Sequence, residues 1–212
     1  MKCWGSSFFG QLGFSGSYSS VPVDIVVTIS GTVTAAGSPL SGVSIDGGSL
    51  GTRTTDSEGR YAYILVSTPS YTITPSKAGY SFSPTSSSGA LTGQVTADFA
   101  ATIHTYTLSG TVTVDGNPLS NVTVTGSGAL GSRTTNSSGQ YSFSSIPYGT
   151  SYLLTLSKMG YSFSPMSASG TLSGDTTADF AASRYDGVSA ISSSIHSCVL
   201  TTRGGVKCWG FN

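Results

Sequence analysis

The chain has 212 residues, enough for two or three small domains with cores of their own, and nine Lys plus Arg balance nine Asp plus Glu. Only 8% of its residues are charged, against about 25% in an average soluble domain. It has no basic run and no acidic tail, which excludes the electrostatic footprint of a nucleic-acid or anionic-membrane binder. No stretch approaches the roughly 20 apolar residues of a membrane span, so we expect no membrane insertion. Met1-Lys2 leads into Cys3 without a signal peptide's apolar core, so we expect any export signal to lie upstream.

The chain carries the same four residues, Lys-Cys-Trp-Gly, at positions 2–5 and again at 207–210. The two copies begin 205 residues apart and enclose a different, longer repeat. Two repeat systems are therefore nested, and self-similarity of this kind is interpreted before any local pattern.

The inner repeat has two copies of close to 80 residues each, offset by 79 to 81 positions. The matched segments are Ile29–Thr34 with Leu108–Thr113, Arg53–Tyr61 with Arg133–Tyr141, Gly79–Pro84 with Gly160–Pro165, and Ala97–Ala100 with Ala178–Ala181. The drift of two positions falls between these segments, as expected for one fold that tolerates loop insertions.

Within each copy apolar residues alternate with polar ones, and Gly, Pro, Asp and Asn clusters interrupt the pattern every 8 to 12 residues. This period of two predicts half-buried antiparallel strands, about seven in each copy. Two packed sheets are the economical way to bury such strands. The sequence therefore predicts an all-β chain with two tandem seven-stranded β-sandwiches of immunoglobulin-like or prealbumin-like type, at residues 27–102 and 103–183.

The Asp56-Ser-Glu-Gly and Asn136-Ser-Ser-Gly segments place an Asx residue and a glycine where hairpin turns need them. Together with Gly-Thr-Val-Thr and the Lys-x-Gly-Tyr-x-Phe-x-Pro run, they resemble the carboxypeptidase regulatory-like domains of bacterial surface proteins. The resemblance implies a spacer or adhesion module and no peptidase activity. A relative, the collagen-adhesin B-type domain, often carries a Lys–Asn isopeptide crosslink, but the first strands here lack Lys and the last strands lack Asn.

The segments outside the inner repeat contain three short motifs, which are Cys-Trp-Gly at both ends, Gly-Gln-Leu-Gly at 10–13, and His196-Ser-Cys198. They resemble the regulator of chromosome condensation repeat, which is a four-stranded β-propeller blade. Without residues 27–183 the Cys-Trp-Gly copies would lie 48 residues apart, which is one blade. The resemblance implies the last two strands of one blade in residues 1–26 and the first three strands of the next in residues 184–212, with remaining blades in a larger chain.

Cys198 and Cys208 flank a turn centred on Arg203, so a hairpin would place them directly opposite each other, close to disulfide distance. The blade resemblance puts Cys3 at the position of Cys208, and we expect its partner in a strand that this chain lacks. A disulfide would indicate an oxidising compartment, and three buried thiols are the alternative.

No catalytic or metal-binding group stands out. No Gly-x-Ser-x-Gly elbow exists, His196 belongs to the blade motif, and His104 lies in a connector at 101–105. Asp56 and Glu58 suit calcium, but the matched turn has Asn136 and Ser138. We therefore expect no enzyme activity, no cofactor and no resident metal, and we leave calcium open.

Most Tyr and Phe residues recur at matched positions. We interpret four tyrosines as candidate surface-binding aromatics: Tyr18, Tyr148, Tyr152 and Tyr185. The sequence favours a non-catalytic, secreted or cell-surface interaction and spacer protein of bacterial type, with a protein or surface glycan as its partner. Two alternatives remain: an intracellular propeller of the nucleotide-exchange or chromatin-binding type, and a carbohydrate-binding module.

Overall fold

The structure is a computed structural model that describes residues 2–5, 19–24, 26–66, 70–185, 187–193, 196–201 and 205–210. In these ranges the regular elements are strands, apart from the short 3-10 turns Gly48–Leu50 and Gly128–Leu130. The predicted all-β class is confirmed. Tyr18 lies outside the described residues.

The chain divides into two compact units, Met1–His104 and Thr105–Asn212. The strands of the first unit are β1 (Lys2–Gly5), β2 (Ser19–Asp24), β3 (Val27–Ala35), β4 (Ser38–Pro39), β5 (Ser44–Asp46), β6 (Thr52–Thr54), β7 (Arg60–Leu65), β8 (Ser70–Ser76), β9 (Tyr80–Ser83), β10 (Ser87–Ala90), β11 (Val95–Thr96) and β12 (Phe99–Ile103). Those of the second are β13 (Thr105–Val114), β14 (Asn117–Pro118), β15 (Thr123–Gly126), β16 (Gly131–Thr134), β17 (Gln140–Pro147), β18 (Ser151–Ser157), β19 (Tyr161–Ser164), β20 (Ser167–Thr171), β21 (Thr176–Thr177), β22 (Phe180–Arg184), β23 (Val188–Ser193), β24 (His196–Thr201) and β25 (Val206–Gly210).

Each unit contains a four-stranded and a six-stranded sheet with matching strand order. In the first unit the orders are β10-β8-β5-β6 and β11-β3-β12-β9, with β4 and β7 also paired to β3. The second unit has β16-β15-β18-β20 and β14-β13-β22-β19, with β17 and β21 also paired to β13. Ten strands are described in each sandwich against the predicted seven, and two of the ten in each (β4 and β11, β14 and β21) are only two residues long.

The expected all-antiparallel pairing is wrong at one place in each sandwich. The first strand, β3, runs parallel to the last two, with Ile29 opposite Val95 and Val33 opposite Phe99. In the second sandwich β13 pairs with β21 and β22 in the same way. The rest of the domain acts as the long crossover that a parallel pair needs. A period of two indicates a strand but not the direction of its neighbour.

One apolar cluster fills the space between the two sheets of each sandwich. Side chains from both sheets contribute to it, as in face-to-face packing. The fully buried members are Ile29, Val33, Val43, Ile45, Tyr63 and Ile73 in the first sandwich, and Leu108, Val112, Val122, Val124, Leu154 and Leu172 in the second. The alternation read from the sequence therefore identifies the core face of these strands.

Two small sheets lie at the ends of the chain. β1 and β2 form an antiparallel pair, with Lys2 opposite Asp24. β23, β24 and β25 form a three-stranded antiparallel sheet. The two terminal sheets have two and three strands, which are the numbers of strands that the blade resemblance implies. That these strands belong to propeller blades stays a prediction.

The connector between the sandwiches is shorter than the predicted segment 101–105. β12 ends at Ile103 and β13 begins at Thr105, so His104 alone lies outside regular structure.

Candidate functional site

The most strongly repeated polar cluster lies where the first strand of each sandwich changes partners. Thr32 falls between the residues of β3 that pair with β11 and those that pair with β12. Asp98 closes this gap, since its Oδ1 accepts hydrogen bonds from the Thr32 backbone N–H at 2.7 Å and from Thr32 Oγ1 at 2.9 Å. Asp179 and Thr111 repeat both bonds at the same distances. The carboxylate stands in for a missing ladder carbonyl, and we call this arrangement the strand clasp.

A glycine and a tyrosine complete the strand clasp. A Cβ built on Gly31 would lie 1.9 Å from the carbonyl oxygen of Ala97, so no side chain fits there. The Tyr61 hydroxyl donates a hydrogen bond to that same carbonyl. Gly110 and Tyr141 repeat the geometry in the second sandwich. The repeated Ser-Gly-Thr-Val-Thr and Ala-Asp-Phe-Ala motifs are therefore explained by folding.

Burial raises the pKa of Tyr61 and Tyr141 above that of an ordinary phenol. The carboxylates of Asp98 and Asp179 add to the effect, since a nearby negative charge opposes loss of the proton. Both hydroxyls stay protonated at neutral pH and serve as donors. Neither is suited to act as a general base.

A shallow groove lies over the strand clasp in each sandwich, about 680 Å³ in the first and about 580 Å³ in the second. The acidic groups that line it are Asp56 and Asp98 in the first sandwich and Asp179 in the second, and each already accepts backbone N–H groups. Nucleophilic catalysis in such a groove would need a side-chain nucleophile beside a free general base. The described groove residues offer hydroxyls, but the carboxylates beside them are held by hydrogen bonds within the fold.

The hairpin turns also use their polar groups internally. Asp56 Oδ1 accepts the backbone N–H groups of Glu58 and Arg60 at 2.9 and 2.8 Å, and the Glu58 carboxylate forms an ion pair with the Arg60 guanidinium. In the matched turn Asn136 Oδ1 accepts two backbone N–H groups at 2.9 Å. Among the described residues no group of three or more His, Cys, Asp or Glu is placed to hold a metal ion.

Two kinds of internal contact, each present in both sandwiches, were not predicted from the sequence. The Arg53 guanidinium lies 5.2 Å from the ring centre of Tyr63, and Arg133 lies 5.1 Å from that of Phe143. The hydroxyl of buried Thr135 accepts a hydrogen bond from the Val122 N–H at 3.0 Å and donates one to the Leu119 carbonyl. The Thr55 hydroxyl makes the equivalent two bonds in the first sandwich. The repeated Arg-Thr-Thr motif at 53–55 and 133–135 was the sequence signal for both kinds of contact.

Of the two histidine side chains, the structure describes only that of His104. His104 is exposed, and its backbone N–H donates to the Gly79 carbonyl at 2.8 Å. The side chain of His196 lies outside the described part of the chain.

The four candidate aromatics have different environments. Tyr18 is not described and Tyr148 is half-buried. Tyr152 packs against the second core as Tyr71 does against the first, with Gly170 and Gly89 as matched cross-strand partners, so its interpretation as an unmatched surface aromatic is wrong. Tyr185 is 63% exposed and lines a groove of about 1030 Å³ in the second unit. Of the described three, Tyr185 offers the largest free ring face.

We call the groove beside Tyr185 the second-sandwich groove, and among its described lining residues Lys158 is the only charged one. Its lining residues are Asn121, Thr123, Leu156, Ser157, Lys158, Met159, Gly160, Tyr161, Ser162, Phe163, Met166 and Tyr185. The Lys158 ammonium donates to the carbonyls of Ser120 and Asn121 at 2.9 and 3.1 Å. The remaining lining side chains are neutral and either apolar or hydrogen-bonding.

The terminal three-stranded sheet carries the predicted disulfide. Cys198 lies opposite Cys208 in the β24–β25 register, and a disulfide joins the two. Trp209 is 59% exposed on this sheet, and Val206 is 64% exposed. No helix in the described ranges is long and apolar enough to span a bilayer.

Comparison with known proteins connects these features to a domain family. Residues 107–183 match the carboxypeptidase regulatory-like domain. This match confirms, for the second sandwich, the resemblance found in the sequence. Chitinase ChiA of Flavobacterium johnsoniae is 32% identical over 159 residues, which cover 71% of this chain and 10% of the chitinase. The chain thus spans about a tenth of the length of that curated relative.

Solved structures share the fold at low sequence identity. The Bacillus anthracis TIE protein superposes with a TM-score of 0.62 at 14% identity, over 87% of this chain and 43% of that one. A streptococcal ancillary pilin covers 79% of this chain and 65% of its own, with a TM-score of 0.39 at 14% identity. The likeness to the TIE protein supports the β-sandwich class and carries no activity with it.

Proposed function

We propose that this chain is a non-catalytic segment of a secreted or cell-surface protein, in which two β-sandwiches serve as a spacer and interaction module. The observation that carries the proposal is the use of the repeated polar residues. Asp98, Asp179, Tyr61 and Tyr141 are bonded to the backbone of their own sandwich, so their repetition preserves a fold. An enzyme would instead require its matched polar residues to converge on a substrate.

The disulfide supports export. Disulfides persist in oxidising environments such as the periplasm or the cell exterior and are rare in the cytosol. This argues against the alternative of an intracellular exchange factor or chromatin binder. The low charge agrees with an exported protein, and the similarity to a stretch of a much longer bacterial chitinase agrees with an accessory region of a longer chain.

We further propose that the sandwiches are inserted into a β-propeller. The Lys-Cys-Trp-Gly copies and the two- and three-stranded terminal sheets support this. Exposed Trp209 and Val206 agree with a blade whose faces are covered by neighbouring blades. The sandwiches would then project from a loop between two blades.

Enzyme activity is tested by incubating the purified chain with chitin and with cellulose and measuring the release of new reducing ends. We expect release no greater than from a heat-denatured sample. Turnover that survives repurification and is lost on denaturation would contradict the proposal.

A further inference from the structure

The two sandwiches contain the same framework around the second-sandwich groove, so they are compared position by position. Lys77 Nζ donates to the carbonyls of Ser41 and Gly42 at 2.9 and 3.2 Å, as Lys158 does to Ser120 and Asn121 in the second copy. The backbone N–H of His104 bonds Gly79, and that of Tyr185 bonds Gly160. The backbone is thus matched on both sides of the groove.

Four positions on this shared framework carry a larger side chain in the second copy. The pairs are Gly42 with Asn121, Ala78 with Met159, Thr85 with Met166, and His104 with Tyr185. All four second-copy residues line the groove of about 1030 Å³. The framework does not require the larger side chains, because the first copy folds without them.

These side chains face solvent, so they add little to the buried core that stabilises the sandwich. Met159 is 98% exposed, Met166 83% and Tyr185 63%. Asn121 has φ of 56°, where its counterpart Gly42 has 67°, so a side chain stands at a position suited to glycine. An exposed apolar cluster of this kind marks an interaction site.

We infer that this groove binds an uncharged polysaccharide. The Tyr185 ring and two thioether side chains supply apolar surface for the C–H faces of pyranose rings, and Asn121, Ser157 and Ser162 supply neutral groups for sugar hydroxyls. The Lys158 ammonium is the one charged group among the described lining residues, and it is already bonded to two carbonyls, which favours an uncharged ligand. The inference rests on the proposed function and names the ligand class of the interaction module.

The test is depletion of the 212-residue chain from solution by insoluble chitin and cellulose, with carboxymethyl cellulose as the charged comparison. The variant replaces the four residues by those of the first copy: Asn121→Gly, Met159→Ala, Met166→Thr and Tyr185→His. We expect the unaltered chain to bind at least one neutral polymer and the variant to bind it about tenfold more weakly or worse. Both proteins should unfold at similar temperatures, since each replacement already occurs on the same framework.

The reciprocal variant is the matched control. Gly42→Asn, Ala78→Met, Thr85→Met and His104→Tyr would build a second groove in the first sandwich. We expect its binding capacity to rise towards twice that of the unaltered chain.

Binding to neither neutral polymer, binding only to carboxymethyl cellulose, or equal binding by the four-residue variant would overturn the inference. An apolar protein as the true partner would give the first of these results. The proposed non-catalytic function would survive any of them, because the reducing-end assay tests it separately.

Discussion

Gly110 shows how one residue can be fixed by a neighbouring backbone. Its missing side chain makes room for the Ala178 carbonyl, which would lie 1.9 Å from a Cβ. We expect Gly110→Ala to destabilise the second sandwich by about 3 kcal/mol, because backbone on both sides must shift. Chemical denaturation monitored by circular dichroism measures the change.

Gly174 is the matched control, because a Cβ there would meet nothing within 4 Å. Gly174→Ala should change the unfolding free energy by less than about 0.5 kcal/mol. Equal effects at the two glycines would contradict the close approach at the strand clasp.

The buried tyrosines predict an alkaline limit to stability. The folded state raises the pKa of Tyr61 and Tyr141 above the value of about 10 that an unfolded chain has. The folded protein therefore holds these protons more tightly, so the stabilisation is complete below about pH 10 and is lost as the pH rises further. Melting temperatures measured across this range should be level and then fall.

Tyr61→Phe with Tyr141→Phe removes two of the three described tyrosines whose pKa burial raises, and Tyr63 remains. The double variant should be less stable at neutral pH, because each clasp carbonyl loses its donor, and its stability should fall less steeply above about pH 10. An identical alkaline fall in the unaltered protein and the variant would assign the effect to other residues.

At the scale of single residues, the sequence indicated which residues repeat but not which groups each side chain contacts. The Asx turns could be predicted because Asp56 and Asn136 bond backbone groups two and four residues away. The partner of Asp98 could not, because Thr32 lies 66 residues earlier and is brought near by a parallel pairing.

At the scale of elements, the strand clasp joins the first strand of each sandwich to the last two. Replacing Asp179 by Ala should cost about 1–3 kcal/mol, because the Thr111 N–H loses its acceptor where the ladder is interrupted. Asp179→Asn keeps an acceptor oxygen and should restore about half of the loss. Urea unfolding of the two variants gives the comparison, and an Asn variant no better than Ala would count against the acceptor role.

The elements were predictable where the alternation of apolar residues decides them and unpredictable where pairing decides them. β7 and β17 follow from alternating buried and exposed residues. The two-residue strands β11 and β21 are too short to show any period, and their parallel direction follows from the path of the whole domain.

At the scale of the whole molecule, we expect the two sandwiches to fold without the terminal sheets. Each has its own buried core, and the described members of the two cores all lie within 27–182. A protein of residues 26–183 should be soluble and should unfold cooperatively on heating. An insoluble or molten product would contradict the insertion of complete domains.

The most direct test of an exported chain flanked by blade segments is the number of free thiols. The chain is prepared from an oxidising compartment, alkylated before and after reduction, and weighed intact by mass spectrometry. We predict one alkylated thiol before reduction, at Cys3, and three afterwards, with Cys198 and Cys208 joined in the native protein. Three free thiols before reduction would contradict the extracellular account and favour an intracellular propeller.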